Sequence, residues 1–71
     1  MTGRSQRPLT PREVECLEWL GRGCTYAAIA SEMGIAVATV ALHVRGARRK
    51  LGAATREQAL IIALRRGLIE P

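Results

Sequence analysis

An all-α fold, a bundle of four helices in one domain, follows from three features of the sequence. The first is length: 71 residues allow one domain, and a chain this short buries roughly 60% of its unfolded surface. The second is composition. Hydrophobic residues make up 48% of the chain, Phe is absent, and Trp19 and Tyr26 are the only aromatics, so aliphatic side chains must fill the core. Packed helices accept that more readily than a sheet, where aromatic and β-branched residues are favoured. The third is punctuation: Thr10, Thr25 and Thr55 open apolar segments, and Gly21, Gly34, Gly52 and Gly67 close them.

The first helix starts after Thr10. Pro11 suits the first helical position, and Glu13 completes a Thr-x-x-Glu capping box. Leu9 before the cap and Val14 at the fourth position make a hydrophobic staple. Val14, Leu17 and Leu20, with Cys16, form the inward stripe, and Gly21 and Gly23 stop the helix. Thr25 opens a second helix, Tyr26 to Met33, with Ala27, Ile29, Ala30 and Met33 available for packing. Gly34 ends it where a left-handed C-cap belongs. A third helix runs from Val37 to about Leu51: Val40, Val44, Ala47 and Leu51 recur at spacings 4, 3 and 4, the mark of one buried stripe. Thr55 caps the last helix with Gln58 in the capping-box position, and Gly67 ends it before Leu68-Ile69-Glu70-Pro71. Residues 1 to 8, MTGRSQRP, lack periodicity and read as a loosely ordered basic arm; 9 to 71 form the domain.

Charge narrows the partner. Eleven Arg and Lys against six Glu, with no Asp, leave a net charge of +5. Arg45, Arg48, Arg49 and Lys50 fall between Gly34 and Thr55, a span with no acid, whereas Glu13, Glu15 and Glu18 cluster between Thr10 and Leu20. A basic block on one element suits a polyanion, most often nucleic acid; the bland alternative is a solvated face that keeps the protein soluble. Cys16 and Cys24 form no CxxC pair, and the first residues do not read as a signal peptide, so reduced thiols in a cytoplasm are expected. A zinc site from Cys16, Cys24 and His43 lacks a fourth ligand and any usual spacing, and no metal or other cofactor is expected. The longest wholly apolar run, Ala59 to Leu64, is far too short to span a bilayer.

The second and third helices, joined at Gly34-Ile35-Ala36, have the pattern of a helix-turn-helix. Such a unit lays its second helix in the major groove of DNA, with the first turns nearest the bases. The wording sharpens this. LTPRE at Leu9 to Glu13, the glycine and threonine of GRGCT, Ile29-Ala30, TV-x-x-H at Thr39 to His43, RKLGAATREQA at Arg49 to Ala59, and GLI at Gly67 to Ile69 occur in order. On these residues the chain resembles the helix-turn-helix domain of LuxR-type (LuxR/GerE family) transcription regulators. Trp19 and RRKLGAA are most similar to the branch that senses acyl-homoserine lactones through a separate N-terminal domain. The likeness implies a quorum-sensing regulator's DNA-binding segment, either the C-terminal domain of a longer protein or a stand-alone one, with no small-molecule ligand in this segment. It also implies contacts to double-stranded DNA from Trp19, Thr25, Tyr26 and the third helix. Where the family usually carries a basic residue the chain has Cys24, and where it carries a Lys-Glu or similar pair the chain has Ala27-Ala28. Where the family has Ser and then polar or charged residues, the chain has Ala36, Val37, Ala38 and Ala41. Each departure removes a cap, a phosphate contact or a base contact.

A wheel of 100° per residue, with the Val40 stripe inward, turns Ala38, Leu42, Arg45 and Arg49 outward. Ala41 and Arg48 lie to one side, and Thr39, His43 and Lys50 to the other. The free face is therefore apolar for two turns and basic afterwards. Arg45 is its first side chain able to fork onto guanine, while Ala38, Ala41 and Leu42 suit thymine methyls. The likeness places Thr39 and His43 near the DNA backbone. Arg48, Arg49 and Lys50 also have a structural option, pairing with Glu13, Glu15 or Glu18; Lys50 is expected to be partly structural and Arg49 free. Trp19 falls off the first helix's stripe, leaving two options, a phosphate or packing against another helix.

The last helix is apolar over most of its wheel from Ala59 to Leu64, more than one stripe needs. With Ala59, Leu60 and Ala63 inward, Ile61 and either Ile62 or Leu64 stay exposed, which marks an interface; the alternative is a small core that uses every side. The family likeness implies a twofold dimer contact here, assigned to Ile61, Ile62, Leu64 and Arg65, and an inverted repeat as target. Two functions remain open: a DNA-binding transcription regulator domain, and an interaction module that has lost base contacts and blocks a full-length partner through its last helix. An enzyme is not expected, with one His, no Asp and no glycine-rich phosphate loop.

Overall fold

The computed structural model describes residues 8–71. Four helices follow in order: α1 (Pro11–Gly21), α2 (Tyr26–Met33), α3 (Val37–Lys50) and α4 (Arg56–Arg65). No strand occurs among the described residues. Of the expected arm over residues 1 to 8, only Pro8 lies within the described residues, and it is half-buried.

The starts are chemical. At α1 the capping box closes as the sequence requires: the Thr10 hydroxyl accepts from Glu13 N–H at 3.1 Å, and Glu13 Oε1 accepts from Thr10 N–H at 3.0 Å. Thr25 and Thr55 cap α2 and α4 in the same way, accepting from Ala28 N–H and Gln58 N–H. The expected box at α4 stays half made, because Gln58 Oε1 accepts from Ala54 N–H at 2.8 Å and not from the cap residue. The loop after α3 presents Ala54 N–H first, so the amide side chain satisfies that donor. α3 begins at Ala36 with no side-chain cap.

The core has two lobes. In one, Leu9, Leu17, Ala47, Leu51, Ala59, Ala63 and Ile69 join α1, α3 and α4. In the other, Cys16, Ile29, Ala30, Met33, Val40 and Val44 join α1, α2 and α3. Leu20 packs against both, so α1 serves as the shared wall. Val14 lies half-buried against the lobe that contains Leu9, as a staple requires. Ala27 is a correction: it faces solvent, because Ile29, Ala30 and Met33 already fill the contact of α2 with α1 and α3.

α2 and α3 meet at 105°, within the range of a helix-turn-helix. Gly34 makes that bend possible. It has φ 67° and ψ 37°, left-handed values that favour glycine, and its N–H bonds Ala30 C=O while Ile35 N–H reaches the same carbonyl at 3.0 Å. Among the described residues no single helix is long and apolar enough to cross a membrane.

Candidate nucleic-acid interface

The 3.6-residue period fixes which side of α3 is free. Val40, Val44, Ala47 and Leu51 are all buried, and Ala38, Leu42, Arg45 and Arg49 are all exposed, as the wheel places them. The first two turns of that free face are apolar, with Leu42 63% and Val37 48% exposed. Its last two turns are basic. Arg45 and Arg49 make no ion pair with any described residue.

The two flanks differ. On one, Ala41 and Arg48 line a shallow groove with Tyr26, Val44, Arg45 and Arg56. The Arg56 guanidinium lies 5.0 Å over the Tyr26 ring, a cation–π contact, and Arg48 Nη1 donates to Ala54 C=O at 3.3 Å. Three helices, α2, α3 and α4, thus bring three guanidinium groups to one concavity. On the other flank Thr39 and His43 are half-buried. Lys50 turns toward α1, its Nζ donating to Glu13 Oε1 at 2.9 Å and Oε2 at 3.1 Å. This is the structural role expected of it in part, and its side chain remains 43% exposed.

Glu13 is the only charged residue buried among those described, at 6% exposure. Burial pushes its carboxyl up, but the Thr10 backbone N–H and the Lys50 ammonium outweigh that and hold it below the ordinary value. Gly46 explains how the acid fits. A Cβ on that glycine would lie 2.5 Å from Glu13 Oε2, so the bare backbone in mid-α3 leaves the space the carboxylate occupies. A glycine inside a helix costs about 1 kcal/mol relative to Ala, which the close approach of α1 and α3 offsets here.

At the start of α2, Thr25 is exposed and its hydroxyl is engaged as the cap. Trp19 takes the packing option, lying half-buried against the lobe built on Ile29, and the Arg22 guanidinium covers its ring at 4.9 Å. Sequence reasoning missed Arg56 as a neighbour of this surface and Arg22 as the partner of Trp19. Arg56 had a signal: a cation in the first turn of a helix opposes the macrodipole, and that anomaly is resolved by Tyr26 beneath it.

Ile61 and Leu64 on α4 are 51% and 42% exposed, and Arg65 is exposed beside them. The core therefore does not use every side of α4. Ile62 is corrected: it is half-buried and packs against the core lobe built on Leu17 and Ala63. The cysteines are free thiols; Cys16 is fully buried with Sγ 3.6 Å from Met33 Sδ, and burial raises its pKa. Among the described residues no group of three His, Cys, Asp or Glu could hold a metal ion.

Comparison with known proteins agrees with this geometry. Residues 7–63 match the family described as bacterial regulatory proteins, luxR family. The HTH-type quorum sensing-dependent transcriptional regulator VjbR of Brucella ovis is 42% identical over 62 residues, covering 87% of this chain and 24% of that protein. The chain thus spans about a quarter of the length of such relatives. Among solved structures, the transcription factor GerE superposes with a TM-score of 0.85 at 33% identity, covering 89% of this chain and 94% of GerE. The Vibrio cholerae VqmA dimer, a LuxR-type receptor, superposes with a TM-score of 0.82 at 36% identity, covering 100% of this chain and 33% of VqmA. With its four helices, 105° turn and matching residues, the chain belongs to the luxR family of bacterial regulatory proteins as a DNA-binding transcription regulator domain, not an enzyme.

Proposed function

We propose that this domain inserts α3 into the major groove of an inverted-repeat site and pairs with a second copy through α4. The observation that carries the first half is the free face of α3. Its inward stripe is fully consumed by the core, and its outward side offers Arg45 and Arg49 without an acid between Gly34 and Thr55. Arg45 is the side chain placed to fork onto a guanine edge. Arg48 and Arg56 line the adjoining groove, suited to phosphates. The N-terminus of α2 adds backbone donors: the first N–H groups of a helix have no intrahelical acceptor, and the dipole there favours an anion. Thr39, His43, Thr25 and Tyr26 are the further contacts of this reading, while Trp19 packs against the core lobe of Ile29 with Arg22 over its ring.

The second half rests on Ile61 and Leu64, exposed on a helix whose opposite side already fills the core. Arg65 borders them, and Ile62 supplies backing more than contact. In this reading the domain works in the cytoplasm, where its two free thiols stay reduced.

A second reading has its own observation. α3 begins with no side-chain cap, and the outward face of its first two turns carries no polar side chain. A domain so altered would act by pairing through α4 with a full-length regulator and blocking it. Selection from random duplexes, followed by binding titration, separates the two. Enrichment of a palindrome is expected; no enrichment, together with heterodimer formation, would favour the blocking reading.

A further inference from the structure

We infer that the first two turns of α3 recognise 5-methylpyrimidines, thymine or 5-methylcytosine, by apolar contact. The inference rests on the proposal that α3 enters the major groove. Two rows of side chains, Ala38 with Leu42 and Val37 with Ala41, lie side by side at helical spacing on the first turns. Val37 and Leu42 are two of the four large hydrophobic residues that the fold leaves exposed. No other helix covers them, because the buried stripe of α3 runs along the opposite side.

Charge identifies the occupant. The same face continues directly into Arg45, Arg48 and Arg49; α3 itself carries no acid, Glu13 of α1 is buried and paired with Lys50, and Glu57 of α4 is paired with Arg56. An apolar patch continuous with a basic one fits a surface that carries methyl groups beside phosphates. The major-groove edge of a pyrimidine with a C5-methyl is such a surface. The alanines matter for reach: their short side chains let the helix backbone approach the base edges, while Leu42 projects further than its neighbours.

A methyl is recognised here by removal from water, with no hydrogen bond, so thymine and 5-methylcytosine count alike and cytosine or uracil count as losses. Deoxyuridine keeps every hydrogen-bonding group and charge of thymidine and lacks only the methyl. The experiment titrates the 71-residue protein against its selected duplex, with each thymine of a half-site replaced in turn by deoxyuridine. A loss of about three- to tenfold is expected at one or two positions, the scale of one methyl group buried. Cytosine at such a position (with its guanine partner) should bind more weakly than 5-methylcytosine in the same pair. In Leu42→Ala, whose fold is safe because Leu42 is 63% exposed, the deoxyuridine penalty should shrink at the position Leu42 touches. Selective binding that ignores every methyl would overturn the inference and leave the major-groove reading standing. Absence of binding to any duplex at low salt would overturn both.

Discussion

Two helices of this domain each leave two large apolar side chains in solvent, yet their settings differ. On α3 the pair is Val37 and Leu42, at the start of a helix that ends in Arg48, Arg49 and Lys50 and has no acid along its length. On α4 the pair is Ile61 and Leu64, with Glu57 and Arg65 one turn away on either side of Ile61. Apolar exposure alone does not name a partner. The charges around it do: a one-signed border suits a polyanion, while a mixed border tolerates a second copy of the same surface, where each sign can meet its opposite.

That contrast can be broken most strongly with salt. If about five phosphates are neutralised, raising salt from ~50 to ~200 mM lowers DNA affinity by about 500-fold. Self-association through α4, being apolar at its centre, should barely move over the same range. Parallel titrations and sedimentation measure both, and a flat response of DNA affinity would contradict the electrostatic role of α3. Next in size is Arg45→Ala. It should cost about 1–3 kcal/mol of affinity and relax one base position; an equal loss on all sequences would make Arg45 a phosphate contact instead.

The α4 surface is tested by Ile61→Glu. A twofold contact introduces the new charge twice, so self-association should weaken by about tenfold or more, roughly 1.4 kcal/mol. Binding to a palindrome should weaken with it, while binding to a half-site stays near the parent value. Unchanged dimerisation would move the interface elsewhere.

The smallest effect expected is on the link between α1 and α3. Glu13→Gln should lower stability by about 1 kcal/mol at neutral pH, less than a fully buried ion pair because the Lys50 side chain is 43% exposed. The pH dependence follows from the lowered carboxyl value. A folded-state pKa below the ordinary 4.5 means stability present above that value and lost as pH falls through the folded one. The gap between parent and Glu13→Gln should therefore close as pH drops below about 4.5, since a protonated Glu13 resembles glutamine. Urea melts at stepped pH values check this, and a gap that persists in acid would show that the carboxylate charge is not what links the helices.

Much of the fold was legible because it is local. Caps at Thr10, Thr25 and Thr55 act within three residues of themselves, and the stripe of α3 repeats with the helix period, so the inward and outward sides of the supposed recognition helix could be named correctly from spacing. What spacing left open was which neighbour meets each side. Lys50 finds Glu13 across 37 positions of chain, Arg56 finds Tyr26 across the whole of α2 and α3, and Ala27 is left in solvent once Ile29 and Met33 have filled the contact. Gln58 likewise accepts from Ala54 N–H instead of the cap residue, and Ile62 packs against the lobe of Leu17 and Ala63. A helix's period decides which residues share a side; the crossing of helices distant in sequence decides what covers that side. Sequence alone therefore determined the four helices, the polarity of each face and a structural option for Lys50, and only tertiary packing decided that Glu13, and not Glu15 or Glu18, is the acid that Lys50 meets, because only Glu13 is buried between α1 and α3.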